Sequence, residues 1–170
     1  MQVLIDRAAR HLQPVIYAAL TTMARRRELL TLEWPQVKMD SRFIAFLQEN
    51  TKARKERPVP ICEGLYEVLL SIGPQPSGRV FLYRGRPIQT VTTAFRKARS
   101  LAGLPLLKFR HLRHVGSCWF MENGGKLEQL QAILGHSDPK LTRRYGRYSK
   151  GYISSLAEHI GPPSFTDRHP

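Results

Sequence analysis

Residues 110–145 read RHLRHVGSCWFMENGGKLEQLQAILGHSDPKLTRRY, and the fold turns on how this stretch is interpreted. Helical patterns cover 110–122, 127–134 and 141–145, with apolar side chains three and four apart, the spacing of a buried helix stripe. Asn123-Gly124-Gly125 and Gly135 separate them, because glycine takes the left-handed backbone that ends a helix without strain. Upstream, a further helix is predicted over 90–102 and is stopped by Gly103. A short strand over 80–83 follows a Gly/Pro-rich loop over 73–78. Before that loop, Leu65, Val68, Leu69 and Ile72 predict a helix over 62–72.

The N-terminal third mixes both periods. Val3, Leu4, Ala8 and Leu12 share one helical face over 3–12, which Pro14 interrupts, and one longer helix is expected over 14–32. Residues 37–48 carry Phe43, Ile44 and Phe46, and a charged strand over 52–61 ends in Val59-Pro60-Ile61. Together they predict a small antiparallel sheet with solvated hairpins. At the other end, an apolar stripe of Tyr152, Ile153, Leu156 and Ile160 predicts a last helix, and 161–170 is expected to be a mobile tail. The fold class expected is mainly α with a small antiparallel β-sheet (α+β). No linker divides the chain, so 1–170 reads as one domain.

Composition narrows the function. A chain of 170 residues with 42% apolar and 24% charged residues can bury a core and is neither disordered nor a membrane span. It holds 27 Lys plus Arg against 13 Asp plus Glu, a net charge of +14. A compact domain that basic repels itself unless a polyanion compensates, which points first to nucleic acid and second to an anionic membrane surface. No apolar run approaches the roughly 18 residues of a membrane helix, and the first residues lack the pattern of a signal peptide. Two cysteines, Cys62 and Cys118, are too few for a disulfide framework, and a reducing cytoplasm is expected.

Five points along the chain carry phosphate-binding or nucleophilic side chains: Thr22-Met23-Ala24-Arg25-Arg26-Arg27-Glu28-Leu29, then Thr51-Lys52-Ala53-Arg54-Lys55-Glu56-Arg57-Pro58-Val59-Pro60, then Arg110-His111-Leu112-Arg113-His114, then Leu134-Gly135-His136-Ser137, and Tyr145 nine residues past His136. Guanidinium groups grip two non-bridging phosphate oxygens and stabilise a pentacoordinate transition state. A tyrosine supplies a hydroxyl for covalent attack, and a lysine or histidine moves protons.

In this order and spacing the chain resembles the tyrosine recombinases, the phage integrase family. That family carries T-G-x-R-x-x-E-L, T-K-T-G-K-x-R-x-V-P, H-x-L-R-H and L-G-H-S, then a Tyr nine residues after the last His. The resemblance covers residues from about 14 to 149. It implies a mostly helical catalytic domain whose small sheet bears the lysine hairpin. It also implies roles for six residues. Arg25 and Arg113 would clamp the scissile phosphate and His136 would hydrogen-bond to it. Lys52 would protonate the departing 5′-oxygen, and Tyr145 would attack to leave a 3′-phosphotyrosyl bond. Arg110 stands where the family has His; it can hold a phosphate oxygen but cannot exchange a proton near neutral pH. His111, about 100° around the helix, is expected to point elsewhere. Met23 for Gly and Val115 for Thr read as packing changes, and Glu28 is expected to orient arginine side chains.

The resemblance further implies double-stranded DNA as the partner, a tetramer on paired sites with a monomer or dimer in solution, and neither membrane, metal nor cofactor. It implies a site-specific recombinase acting in the cytoplasm of a bacterial or phage-infected cell, with the alternative of a catalytically impaired DNA-binding remnant. Members carry an N-terminal helical domain that closes around DNA, and this sequence starts close to the catalytic domain. Arg54, Lys55, Arg57, Arg96, Lys97, Arg143 and Arg147 are expected to hold DNA phosphates. His111, His114 and Cys118 share one helix face and form the rival metal site, against which Arg110 and Arg113 weigh. Trp34, Phe109, Trp119 and Phe120 are expected in the core.

Overall fold

The computed structural model describes residues 1–47, 56–136 and 138–148. Eight α-helices and two small antiparallel sheets are seen among them. The elements are α1 (Gln2–Asp6), α2 (Gln13–Thr22), α3 (Arg26–Leu30), β1 (Val37–Lys38), β2 (Phe43–Leu47), β3 (Glu56–Pro60), α4 (Glu63–Ile72), β4 (Leu82–Tyr83), β5 (Arg86–Pro87), α5 (Thr92–Leu101), α6 (Arg110–Glu122), α7 (Leu127–Leu134) and α8 (Lys140–Arg143). The expected α+β class holds. The proposed Lys52, Arg54, Lys55, the 152–160 helix and the 161–170 tail lie outside the described residues.

Helices α2 and α6 form the centre. Pro14 sits in the first turn of α2, where no backbone N–H is needed inside the helix, and Val15, Ile16, Ala18, Ala19 and Leu20 are buried. From α6, Leu112, Gly116, Ser117 and Met121 face the same core. The two backbones touch at Gly116: a Cβ there would stand 2.1 Å from the Leu20 carbonyl oxygen. Glycine therefore sets how closely α6, which carries Arg110 and Arg113, approaches the end of α2.

Several expectations need correcting. The single helix over 14–32 is two, because Met23 adopts a left-handed backbone (φ 53°) and Arg25 an extended one before α3 begins. Met23 therefore occupies a position where glycine is free of strain and an L side chain costs about 1–2 kcal/mol, so the departure concerns backbone as well as packing. The first helical pattern stops at Asp6, with Val3 56% exposed although Leu4, Ala8 and Leu12 are buried. The antiparallel sheet expected from 37–61 is present: β1 turns at Arg42 (φ 53°) and returns as β2, which pairs with β3 from Phe43↔Pro60 to Leu47↔Glu56. Trp119, expected in the core, is 41% exposed, whereas Trp34 and Phe109 are buried and Phe120 half-buried.

The strand expected over 80–83 is shorter, Leu82–Tyr83, and forms a hairpin with Arg86–Pro87. Among the described residues no helix is long and apolar enough to cross a membrane.

Candidate active site

The break between α2 and α3 builds the first wall. Thr22 Oγ1 donates to Ala18 O at 2.5 Å and accepts from the Ala24 N–H at 3.3 Å, which closes α2 with the chain turned outward. Arg25 then caps α3. Glu28, one turn on, reaches back: its Oε2 accepts the Arg25 N–H at 2.5 Å and its Oε1 accepts Arg25 Nη1 at 3.2 Å. A carboxylate in the first turn of a helix is favourably placed for the capping role. The Arg25 side chain stays 53% exposed even with its Nη1 paired to Glu28.

The same Glu28 oxygen accepts Arg57 Nη2 at 2.9 Å. Arg57 is not the surface phosphate holder expected from sequence, since it is 3% exposed. The reason is strand periodicity: on β3, Arg57 and Val59 both face inward. Its guanidinium carbon lies 5.0 Å from the Phe46 ring centroid, a cation–π contact, and it also donates to the Ile133 carbonyl oxygen of α7. Its Nε is buried with no hydrogen-bond partner among the described residues. Burial pushes its pKa down, against the pull of Glu28. One buried ion pair thus ties α3, β3 and the end of α7 together.

Arg113 is the second wall. Nη1 donates to Met23 O and Nη2 to Leu134 O, each at 2.7 Å, so the guanidinium bridges the α2 break and the end of α7. Nη2 also lies 3.3 Å from His136 Nε2. Burial, and then the charges of Arg25 and Arg57, bring the Arg113 pKa down to about 10. His136 owes its place to Gly135, whose left-handed backbone (φ 65°) ends α7; the His136 N–H then donates to Gln131 O at 3.3 Å. Burial and the charges of Arg113, Arg25, Arg144 and Arg57 lower its pKa to about 4. An arginine only donates, so Nε2 accepts and the proton sits on Nδ1, which points to Thr142 Oγ1 at 3.0 Å.

Tyr145 follows α8 and is 5% exposed. Its Oη lies 3.1 Å from His114 Nδ1, the two rings being 5.1 Å apart and tilted 47°. Arg144 stands 5.8 Å over the phenol ring, and Arg113 feels Tyr145 electrostatically. His136 is thus surrounded by four arginines, and one buried carboxylate, Glu28, offsets them. Such a surplus of fixed positive charge is a receptor for an anion.

The structure brings Arg25, Arg113, His136 and Tyr145 into one region. Arg110 is exposed in the first turn of α6, one turn before Arg113, and makes no hydrogen bond or ion pair with another described residue. His111 turns to its own backbone, its Nδ1 accepting the Lys108 N–H at 3.3 Å. Among the described residues no group of three His, Cys, Asp or Glu side chains could hold a metal ion. Arg96, Lys97 and Arg143 are exposed, as an outer phosphate-holding role requires. Sequence reasoning gave Glu28 its role but missed Arg57, although the alternation with Val59 could have revealed it. It also missed Thr142 and the contact of His114 with the phenol, for which spacing gives no signal.

The sequence matches the phage integrase family over residues 2–151, and the chain belongs to that family. Its fold is that of the tyrosine recombinase catalytic domains. It is similar to the integrase of Escherichia phage 186, 34% identical over 150 residues that make up 86% of this chain and 40% of that protein. The catalytic domain of bacteriophage HP1 integrase superposes with a TM-score of 0.72 at 31% identity, covering 94% of this chain and 90% of that one. A Tn1549 transposon integrase solved with circular intermediate DNA shares the fold alone, with a TM-score of 0.68 at 21% identity over 89% of this chain and 58% of that one. The chain spans about 40% of the length of the phage 186 relative.

Proposed function

We propose that the chain is the catalytic portion of a site-specific DNA recombinase that cuts and rejoins duplex DNA through a 3′-phosphotyrosyl intermediate. The observation that carries this reading is the meeting of Arg25, Arg113 and His136, from stretches far apart in sequence, beside the Tyr145 phenol. Arg25 and Arg113 hold the non-bridging oxygens of one phosphate and stabilise the charge that builds on them. Arg110 adds a third cation at the mouth. Tyr145 Oη forms a bond to phosphorus as the bond to the 5′-oxygen breaks, and Lys52 gives that oxygen its proton. An entering phosphate draws Arg113 away from His136 Nε2, which then donates to the phosphate by carrying a proton itself. The bond energy stays in the phosphotyrosyl link, so a second 5′-hydroxyl reverses the step without metal or nucleotide triphosphate.

Duplex DNA as the substrate agrees with the net charge of +14, with exposed Arg96, Lys97 and Arg143, and with the DNA bound to the Tn1549 neighbour. Binding weakens steeply with salt as phosphate counterions are released. Recombination takes place in a tetramer on paired sites, built from monomers or dimers at the DNA in the cytoplasm. Nicked duplexes of randomised sequence, designed so that the severed 5′ end diffuses away, test the reading on a denaturing gel. Wild type gives a covalent adduct and Tyr145→Phe gives none. Binding without any adduct marks a DNA-binding remnant instead, and an adduct that survives Tyr145→Phe removes Tyr145 from the mechanism.

A further inference from the structure

We infer that His114 is a further catalytic residue, the base that takes the phenolic proton as Tyr145 attacks; this rests on the function proposed above. His114 Nδ1 lies 3.1 Å from Tyr145 Oη, within direct proton-transfer reach. Because Tyr145 is buried, bulk water has little access to the phenol, and its proton needs an acceptor nearby. The cations around it cannot serve: Arg113 and Arg144 are guanidinium groups, which stay protonated near neutrality. His136 is turned away, with Nε2 toward Arg113 and Nδ1 toward Thr142. An imidazole can take the proton, and His114 is itself exposed, so the proton can pass on to solvent.

The placement has a mechanical consequence. His114 follows Arg113 directly on α6, so one rigid helix carries both the phosphate-holding guanidinium and the base. The step balances: the Oη–P bond forms, the bond to the 5′-oxygen breaks, the phenolic proton moves to Nδ1, and the 5′-oxygen takes a proton from a separate acid. Rejoining runs the same path backwards, with His114 returning its proton to the phenol.

His114→Gln keeps a hydrogen-bonding side chain but cannot accept a proton, and His114→Ala removes both properties. Each is assayed on a nicked duplex recovered from the randomised pool, and on the same duplex with sulfur in place of the scissile 5′-oxygen, which departs without a proton. Both variants are expected to form adduct about 10²-fold more slowly on both duplexes, and added imidazole should partly restore the alanine variant. A wild-type rate in the glutamine variant overturns the assignment, and a faster rate shows a latch rather than a base. A wild-type chain that forms no adduct at all counts against the proposed function, and the pair is then judged by nitrogen NMR of the labelled chain. An Nδ1 in its accepting form that shifts in Tyr145→Phe supports the contact; an unchanged spectrum overturns it.

Discussion

The two halves of the candidate site are held in different ways. On the clamp side, Glu28 is shared between Arg25 and Arg57, and Arg57 also reaches Ile133. Arg113 spans Met23 and Leu134, so α3, β3, α6 and α7 are tied by bonds between residues far apart in sequence. On the nucleophile side, Tyr145 follows the four-residue α8, and its phenol oxygen meets His114. The clamp must oppose the repulsion of like charges before any ligand arrives, and only a dense network can hold cations together in that way. In the reaction proposed above the phenol approaches a phosphorus, bonds to it and later leaves, which a lighter attachment allows. Charge held in place before a ligand arrives is the arrangement expected of electrostatic preorganisation.

The comparison breaks first at Glu28. Glu28→Ala leaves the Arg57 cation buried without its counter-ion and should cost about 3–5 kcal/mol in denaturant unfolding. Tyr145→Phe removes one hydrogen bond and should cost about 1 kcal/mol while abolishing any covalent adduct. Similar losses in the two variants would mean that the two halves are equally built. Between them falls Gly116→Ala: its Cβ meets the Leu20 carbonyl oxygen, so α6 must shift, at about 1–3 kcal/mol. Because Arg113 rides on α6, the same variant should weaken binding of a short DNA duplex more than Tyr145→Phe does, as read by fluorescence anisotropy.

The contrast also explains what could be read from the sequence. Helix α6 was legible to the residue and α7 likewise, since their apolar spacing and glycine stops are local signals. Arg25, Arg113, His136 and Tyr145 stood out through ordered motifs. The split of 14–32 into two helices was not legible, because Met23 takes the left-handed turn with neither Gly nor Pro at the break. Arg57 was misplaced because a charged residue in a charged segment reads as solvated, and only its pairing with Glu28, 29 positions away, makes burial tolerable. The approach of His114 to Tyr145 depends on how the segment after α8 returns to α6, a tertiary contact that no spacing encodes.

The smallest expected effect lies at the seam between the halves, where His136 touches Arg113 on one side and Thr142 of α8 on the other. Folding lowers its pKa from 6.5 to about 4 through burial and then the surrounding arginines. Between those values the unfolded chain holds a proton that the folded chain refuses, so stability falls as pH drops from about 6.5 to about 4. Above that window His136 is neutral in both states and contributes no slope. In His136→Gln the contribution disappears, and unfolding free energies measured in urea from pH 7 to pH 4.5 should decline less steeply than in wild type. The difference should be modest, because His136 is only partly shielded from water. Parallel curves for the two proteins would show that the arginines do not press on the imidazole. The clamp's charge would then end short of the nucleophile's helix, and the two halves would be electrostatically independent.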